Sequence, residues 1–456
     1  MSDGYVAGTK VRDKVRIGCG AGFSGDRIEP AVTLAERGEL DYLVFECLAE
    51  RTIAMAVRTR LKHEEGGYDP LLAERLGAVL PAAVRNGVRI ISNMGAANPV
   101  AAARRAAEIA RELGLGPLKI AAVSGDDVLR QLRAEDRPLL DAAGSVWQWR
   151  GELISANAYL GAEPIVEALE QGADIVLTGR AADPSLFLAP LVHEFGWSWE
   201  DWASLGRGTV IGHLLECAGQ ITGGYFADPG VKDIDGLADL GFPFAEVERD
   251  GTAVLSKVAG TGGAITLATC KEQLLYELHD PTQYITPDVV ADFSKVRFEQ
   301  LGPDAVRVSG GGGGDKPEKL KVSVGYREGF VGEGQISYAG PGAVERGRLA
   351  LAIVKQRLSR LGKEILDLRL ELIGLDSIDG NANGVPAPRE VRVRVAARMQ
   401  TQEGAAVVGR EVEALYTNGP AGGGGATQCA KPVIAVVSTL IDRAQVRPAL
   451  HWEGIE

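Results

Sequence analysis

The residues with the most chemical capacity fall in five loops: Gly20-Ala-Gly-Phe-Ser-Gly-Asp26, Glu46-Cys-Leu-Ala-Glu-Arg-Thr52, Asn93-Met-Gly-Ala-Ala-Asn98, Ser124-Gly-Asp-Asp127 and Thr178-Gly-Arg-Ala-Ala-Asp183. Each follows a short apolar run, and open parallel sheets bind ligands beyond the carboxyl ends of their strands. Carboxylates (Asp26, Glu46, Glu50, Asp126, Asp127, Asp183) mix there with Arg27, Arg51 and Arg180. Opposite charges in one pocket suit general acid/base chemistry or paired recognition of a carboxylate. Taken singly, Asp26, Asp126 and Asp183 read equally well as caps of the helices that follow them. Together the carboxylates could hold Mg²⁺, although no spaced carboxylate motif specifies it.

A second constellation is Thr209-Val-Ile-Gly-His-Leu-Leu-Glu-Cys-Ala-Gly-Gln220. If Val210 to Ala218 is helical, His213 and Cys217 lie four apart, away from the stripe of Val210, Ile211, Leu214 and Leu215. A histidine beside a thiol can make a nucleophile or an acid/base pair, but a buried cysteine with a hydrogen-bonded histidine fits the same pattern. The candidate catalytic residues are therefore His213, Cys217, Asp126 and Glu46. The candidate substrate-binding residues are Gly22, Ser24, Gly25, Arg51, Asn93, Asn98, Arg180, Asp183 and Gln220.

The glycine loop also carries Gly20-x-Gly22-x-x-Gly25 between a strand and a helical run, with Glu46 ending the next strand. That is the pattern of an NAD(P)-binding βαβ unit, in which a pyrophosphate rests on free amides at a helix start. Asp26 opposes this reading, because its carboxylate would claim those amides and repel a diphosphate. A structural tight turn and a loop that holds a substrate carbonyl or carboxylate remain open beside it.

Positioning these residues falls to a chain of 456 residues and 45% hydrophobic content, enough for two or three domains. From residue 15 to about 216, strands Val15–Gly18, Tyr42–Phe45, Val88–Asn93, Ile120–Val123 and Ile175–Leu177 alternate with helical stretches such as 99–113 and 163–171. This predicts an α/β domain over 12–216 with a mainly parallel sheet and flanking helices. Residues 217–445 read as a glycine-rich α+β domain, with strands at 253–258, 264–268, 320–324 and 391–395 and a helix over 342–361. Residues 1–11 and 446–456 read as tails. Asn418-Gly-Pro-Ala-Gly-Gly-Gly-Gly425 reads as a mobile lid, a main-chain anion nest or plain flexible chain.

A net charge of −12 argues against non-specific contact with nucleic acid or an acidic membrane surface. Five separated cysteines without a CxxC pair suit reduced thiols and give no zinc signature. With no signal-peptide pattern and no spanning run, the expected location is the cytoplasm. A homo-oligomer is expected.

The five loops, together with Ala156-Asn-Ala-Tyr-Leu-Gly161, Cys217-Ala-Gly-Gln-Ile-Thr-Gly-Gly224, Gly260-Thr-Gly-Gly263, Leu275-Tyr-Glu-Leu-His-Asp-Pro281 and Val433 to Ile441, resemble the acyclic terpene utilisation (AtuA) family over about residues 12 to 445. The resemblance implies work on branched or terpenoid acids carried as coenzyme A thioesters, and transfers no established catalytic residue. The expected activity is a lyase or hydratase acting next to a carbonyl, with an NAD(P)-dependent oxidoreductase and a non-catalytic accessory subunit as alternatives. Longer members carry an extra C-terminal ferredoxin-like domain that lies outside this sequence, so a small partner subunit is a candidate source of it.

Overall fold

The computed structural model describes residues 12–149, 151–360, 365–378, 380 and 386–455. The tail expected at 1–11 lies outside them. Two compact units emerge: one spans residues up to 148 with 154–324 and 437–456, and the other 149–153 with 325–436. The chain thus divides at 324/325 rather than at 216/217, and its last twenty residues rejoin the first unit.

In the first unit, β1 (Lys14–Ala21), α1 (Glu29–Arg37), β2 (Tyr42–Phe45), α2 (Glu50–Arg60), α3 (Leu72–Asn86), β3 (Arg89–Ser92), α4 (Pro99–Glu112), β4 (Leu118–Ser124) and β5 (Ile175–Thr178) follow the expected alternation. They are followed by α5 (Asp183–Phe195), α6 (Trp202–Leu215), β6 (Pro243–Glu248), β7 (Ala253–Lys257), α7 (Leu267–Leu275), β8 (Arg297–Gly302) and β9 (Ala305–Ser309). Strand β10 (Lys319–Ala339) leads to the second unit with α8 (Ala343–Leu358), β11 (Ile365–Ile373), β12 (Glu390–Met399), α9 (Gln402–Glu413) and β13 (Gly424–Asp442). A final strand, β14 (Ala449–Ile455), belongs to the first unit.

The large sheet runs β8-β9-β7-β6-β1-β2-β3-β5-β4-β14. Its centre, β1-β2-β3-β5-β4, is wholly parallel. All four residues of β2 and all four of β5 are buried, as expected of strands covered by helices on both faces. Both flanks are antiparallel: β6 pairs with β1, and β14 pairs with β4 from Ala449 opposite Ser124 to Ile455 opposite Leu118. The stretch expected to be a tail is therefore a sheet edge. Its period-two run Ala449-Leu-His-Trp452 carries the strand signal in only four residues, too few to stand out.

Local chemistry sets the helix starts. Asn98 caps α4 by accepting from the Ala101 amide, and Pro99 needs no amide donor at the first helical position. The strand expected at 264–268 is instead a loop running into α7. Thr266 accepts from Thr269 N–H while the Thr269 hydroxyl accepts from Thr266 N–H, a reciprocal cap that overrides the apolar alternation. Glycines 312 and 313 are packed against α6: a Cβ on Gly206 would lie 1.9 Å from the Gly312 carbonyl oxygen.

The second unit has the order β10-α8-β11-β12-α9-β13, with the sheet arranged β11-β12-β10-β13 and β12 antiparallel to both neighbours. This βαββαβ connectivity is ferredoxin-like. Val391, Val393 and Val395 of β12 are buried with Ala350, Val354, Val408 and Val412 of the two helices. Alternate residues face the other way: Arg394 bonds Glu333 at 2.6 Å and Glu371 at 2.7 Å. A ferredoxin-like fold is thus already built into residues 325–436.

Candidate functional site

Three of the five loops converge. Residues 22–27 after β1, 46–50 after β2 and 180–183 after β5 line a cavity of about 720 Å³ in the first unit. The wall is completed by segments 216–225, 237–242 and 276–277 together with Tyr159. Leu48, Leu240 and Phe242 give it an apolar side, and Phe23 and Tyr225 are its highly exposed aromatics. Three of the six non-glycine residues with left-handed backbone among the described residues lie here: Ala218 (φ 44°), Tyr225 (φ 59°) and Glu277 (φ 54°). Backbone strain of this kind costs of order 1–3 kcal/mol and concentrates at functional sites.

The other two loops lie behind the wall and support it. Asn93, fully buried after β3, donates from Nδ2 to Glu46 Oε1 at 2.9 Å and accepts from Cys47 N–H at 2.7 Å. Asp126, after β4, accepts on one oxygen from Asn157 Nδ2 (2.8 Å) and from Arg180 N–H (3.0 Å), and burial raises its pKa to about 6. Neither residue lines the cavity. Gly179 must be glycine here, because a Cβ would fall 2.3 Å from the Asp126 carboxylate.

Arg180, 1% exposed, is the one buried cation of the floor among the described residues. Its guanidinium donates to the Leu48 carbonyl and to Asp183, and lies 4.3 Å over the Tyr159 ring. Tyr159 in turn donates to Glu50 at 2.5 Å, and Lys321 reaches the same carboxylate at 3.0 Å. Although burial opposes it, these two hydrogen bonds hold Glu50 down at about 2. Burial pushes Glu46 upward, partly countered by Arg180 and Asn93. Asp183 is pushed well above the usual carboxylate range by burial and by the charges of Glu46 and Glu216, against the pull of Arg180. The floor therefore holds carboxyl groups whose protonated forms persist above the ordinary range.

The glycines of Gly20-x-Gly22-x-x-Gly25 serve packing. A Cβ on Gly20 would lie 2.4 Å from the Phe45 ring, one on Gly22 2.5 Å from the Cys217 backbone, and one on Gly25 2.7 Å from the Phe23 ring. The Gly22 amide is bonded to Asp26 at 2.9 Å, so a carboxylate of the chain itself takes the donor a bound anion would need. Asp26 does not cap α1, whose N-cap is Ile28. The loop is pinned from below by Arg75, fully buried, which donates to the Ser24 and Asp26 carbonyls at 3.1 and 3.2 Å.

Of the residues singled out from sequence, Gly22, Glu46, Arg180, Asp183, Cys217 and Gln220 line the cavity. Ser24, Gly25, Arg51, Asn93, Asn98, Asp126 and His213 do not. Asn98 is bound to the Glu64 and Gly66 carbonyls at 2.9 Å each and caps α4. Arg51 is exposed in the first turn of α2. His213 is 1% exposed and faces Glu216 and the Leu274 carbonyl, not Cys217. The helix ends at Leu215 with Glu216 as its cap, which breaks the four-residue relation between His213 and Cys217. Burial pushes the Cys217 thiol far up and disfavours its nucleophilic thiolate.

Sequence reasoning passed over Glu216, Tyr159 and Arg75. Glu216 lies three residues after His213, a helical neighbour spacing. Arg75 is an arginine on the apolar stripe Leu72, Leu76, Val79 of α3, all buried, a buried cation in search of acceptors. Among the described residues no three His, Cys, Asp or Glu side chains gather closely enough to hold a metal ion. No described helix is long and apolar enough to cross a membrane.

The family model described as acyclic terpene utilisation family protein AtuA matches residues 15–452. The chain belongs to this family. That match takes in every cavity-lining segment of the chain and the whole of its ferredoxin-like unit. No curated protein and no solved structure matches it in the same comparisons.

Proposed function

We propose that this AtuA-family chain is a lyase or hydratase acting beside the carbonyl of a branched or terpenoid acyl compound, with coenzyme A thioesters as the substrate class. The supporting observation is the group of Glu46 and Asp183 on one cavity floor, both raised by burial and both within the field of Arg180. Two carboxyl groups of this kind divide acid and base work. One in its anionic form takes the proton next to the carbonyl. The other, protonated, delivers its proton to the departing hydroxyl, which leaves as water; hydration runs the same steps backwards.

Most donors expected to hold an anion are engaged elsewhere: the Gly22 amide by Asp26, the terminal guanidinium nitrogens of Arg180 by Leu48 and Asp183, and Arg27 by the Leu237 and Ala238 carbonyls. The acyl end therefore enters against Leu48, Leu240 and Phe242, with phosphates left at the mouth. The test is a panel of 3-hydroxyacyl and 2-enoyl coenzyme A esters, followed by the ultraviolet absorbance of the enoyl thioester. Glu46→Gln and Asp183→Asn are each expected to lower turnover by about 10²–10⁴-fold. Undiminished turnover in both variants overturns the assignment.

A further inference from the structure

We infer that Glu216 is the cavity carboxylate that receives a hydroxyl or ammonium group of the ligand, and that buried His213 positions it by sharing a single proton with it. This rests on reading the cavity as the active site.

His213 Nε2 lies 3.2 Å from the Leu274 carbonyl oxygen, which can only accept, so Nε2 carries a hydrogen. On the other side Nδ1 lies 3.0 Å from Glu216 Oε1, and that bond also needs one proton. The proton belongs either to an imidazolium facing a carboxylate or to a carboxylic acid facing a neutral imidazole. Both arrangements leave the pair neutral overall. Tyr284 and Phe293 pack on the ring with centroids 5.2 and 5.4 Å away, and Gln273 binds the His213 carbonyl at 3.1 Å. The ring is thereby fixed in place and, at 1% exposure, has no access to a ligand of its own.

Glu216 is different. It lines the cavity at 8% exposure, and its second oxygen, Oε2, is shielded from solvent and has no hydrogen-bond partner. An unfilled, shielded carboxylate oxygen is costly unless something donates to it. Its neighbours Glu46 and Asp183 repel a further anion and favour a donor. Among the described residues the one buried cation of the floor, Arg180, already spends both terminal guanidinium nitrogens on Leu48 and Asp183, leaving only its Nε unpartnered. The complementary ligand group is thus a hydroxyl or an ammonium rather than a carboxylate or a phosphate.

The experiment follows the ring nitrogens of ¹⁵N-histidine-labelled protein by NMR, with His213 assigned among the five histidines by its loss in His213→Gln. In the wild type Nε2 is expected to be protonated. In Glu216→Gln the side-chain amide donates to Nδ1, so Nδ1 becomes bare and the ring neutral across pH 5–8. Titration then uses n-butylammonium and 1-butanol as donor probes and butyrate as the anionic control. The donors should shift the His213 signals while butyrate does not, and Glu216→Gln should weaken butylammonium at least about tenfold. A bare Nε2, unchanged Nδ1 protonation in Glu216→Gln, silence towards both donors, or an equal response to butyrate overturns the inference. The wild-type titrations decide it even if a variant does not fold. Donor-specific shifts in a protein that turns over no acyl thioester would sink the proposed reaction and leave this contact standing.

Discussion

Replacing Asp126 by Asn separates a buried structural carboxylate from a catalytic one by its pH signature. One oxygen of Asp126 receives both the Asn157 and Arg180 hydrogen bonds, so an Asn with its carbonyl oxygen in that position keeps both. What changes is the charge. Burial lifts this acid from its ordinary 3.8 to about 6, so the folded protein binds a proton there that the unfolded chain has already released between these two values. Stability must therefore fall as pH rises through that window and level off above it. At about 1.4 kcal/mol per pH unit the loss amounts to about 3 kcal/mol. Asp126→Asn removes this slope, so the variant should gain on the wild type by about 2 kcal/mol between pH 4 and pH 7. Urea unfolding followed by circular dichroism over that range measures it. Parallel curves for the two proteins would refute the reasoning, and a loss of turnover with unchanged stability would restore Asp126 to the chemistry.

Three further outcomes can be measured. Gly22→Ala forces a methyl group into the Cys217 backbone and should cost about 1–3 kcal/mol in urea unfolding, with turnover falling as the loop and the 217–220 segment part. Arg75→Met strands the Ser24 and Asp26 carbonyls and leaves buried Asp69, 3.9 Å away, without its cation; a loss of about 3–5 kcal/mol is expected, and less than about 1 kcal/mol would show that Arg75 does not pin the loop. Millimolar NAD(H) should leave the thermal midpoint unchanged, because the Gly22 amide is bonded to Asp26; a saturable rise would reopen the nicotinamide reading.

The sequence made the centre of the sheet legible because buried parallel strands are short unbroken apolar runs, as in Tyr42–Phe45, and the loops after them follow at once. Hence the loops that carry Glu46, Arg180 and Asp183 could be located without a structure. The supporting residues were harder to place. Asn93 and Asp126 carry the same chemistry as the lining residues and follow strands in the same way; only three-dimensional direction separates a wall residue from its support. The antiparallel flanks depend on pairing between distant segments, which no local pattern records, and this is why the boundary near 216 and the tail at 446–456 were misplaced. The His213–Cys217 pair failed for a local reason: a helix that ends at Leu215 no longer presents residue 217 on the face of residue 213.

The last strand carries a consequence for how the protein is made. Ser124 and His451 meet at 2.8 Å although 327 residues separate them. On a ribosome adding about 5–20 residues per second, the outer edge of β4 waits on the order of 15 to 60 seconds for its partner. Throughout that interval Ile120, Ala121, Ala122 and Val123, all buried in the finished fold, belong to an open row of amides and carbonyls able to recruit any passing strand. Nascent chains of this protein should therefore depend on chaperone cover more than its folded form suggests, until residues 449–455 emerge to close that edge.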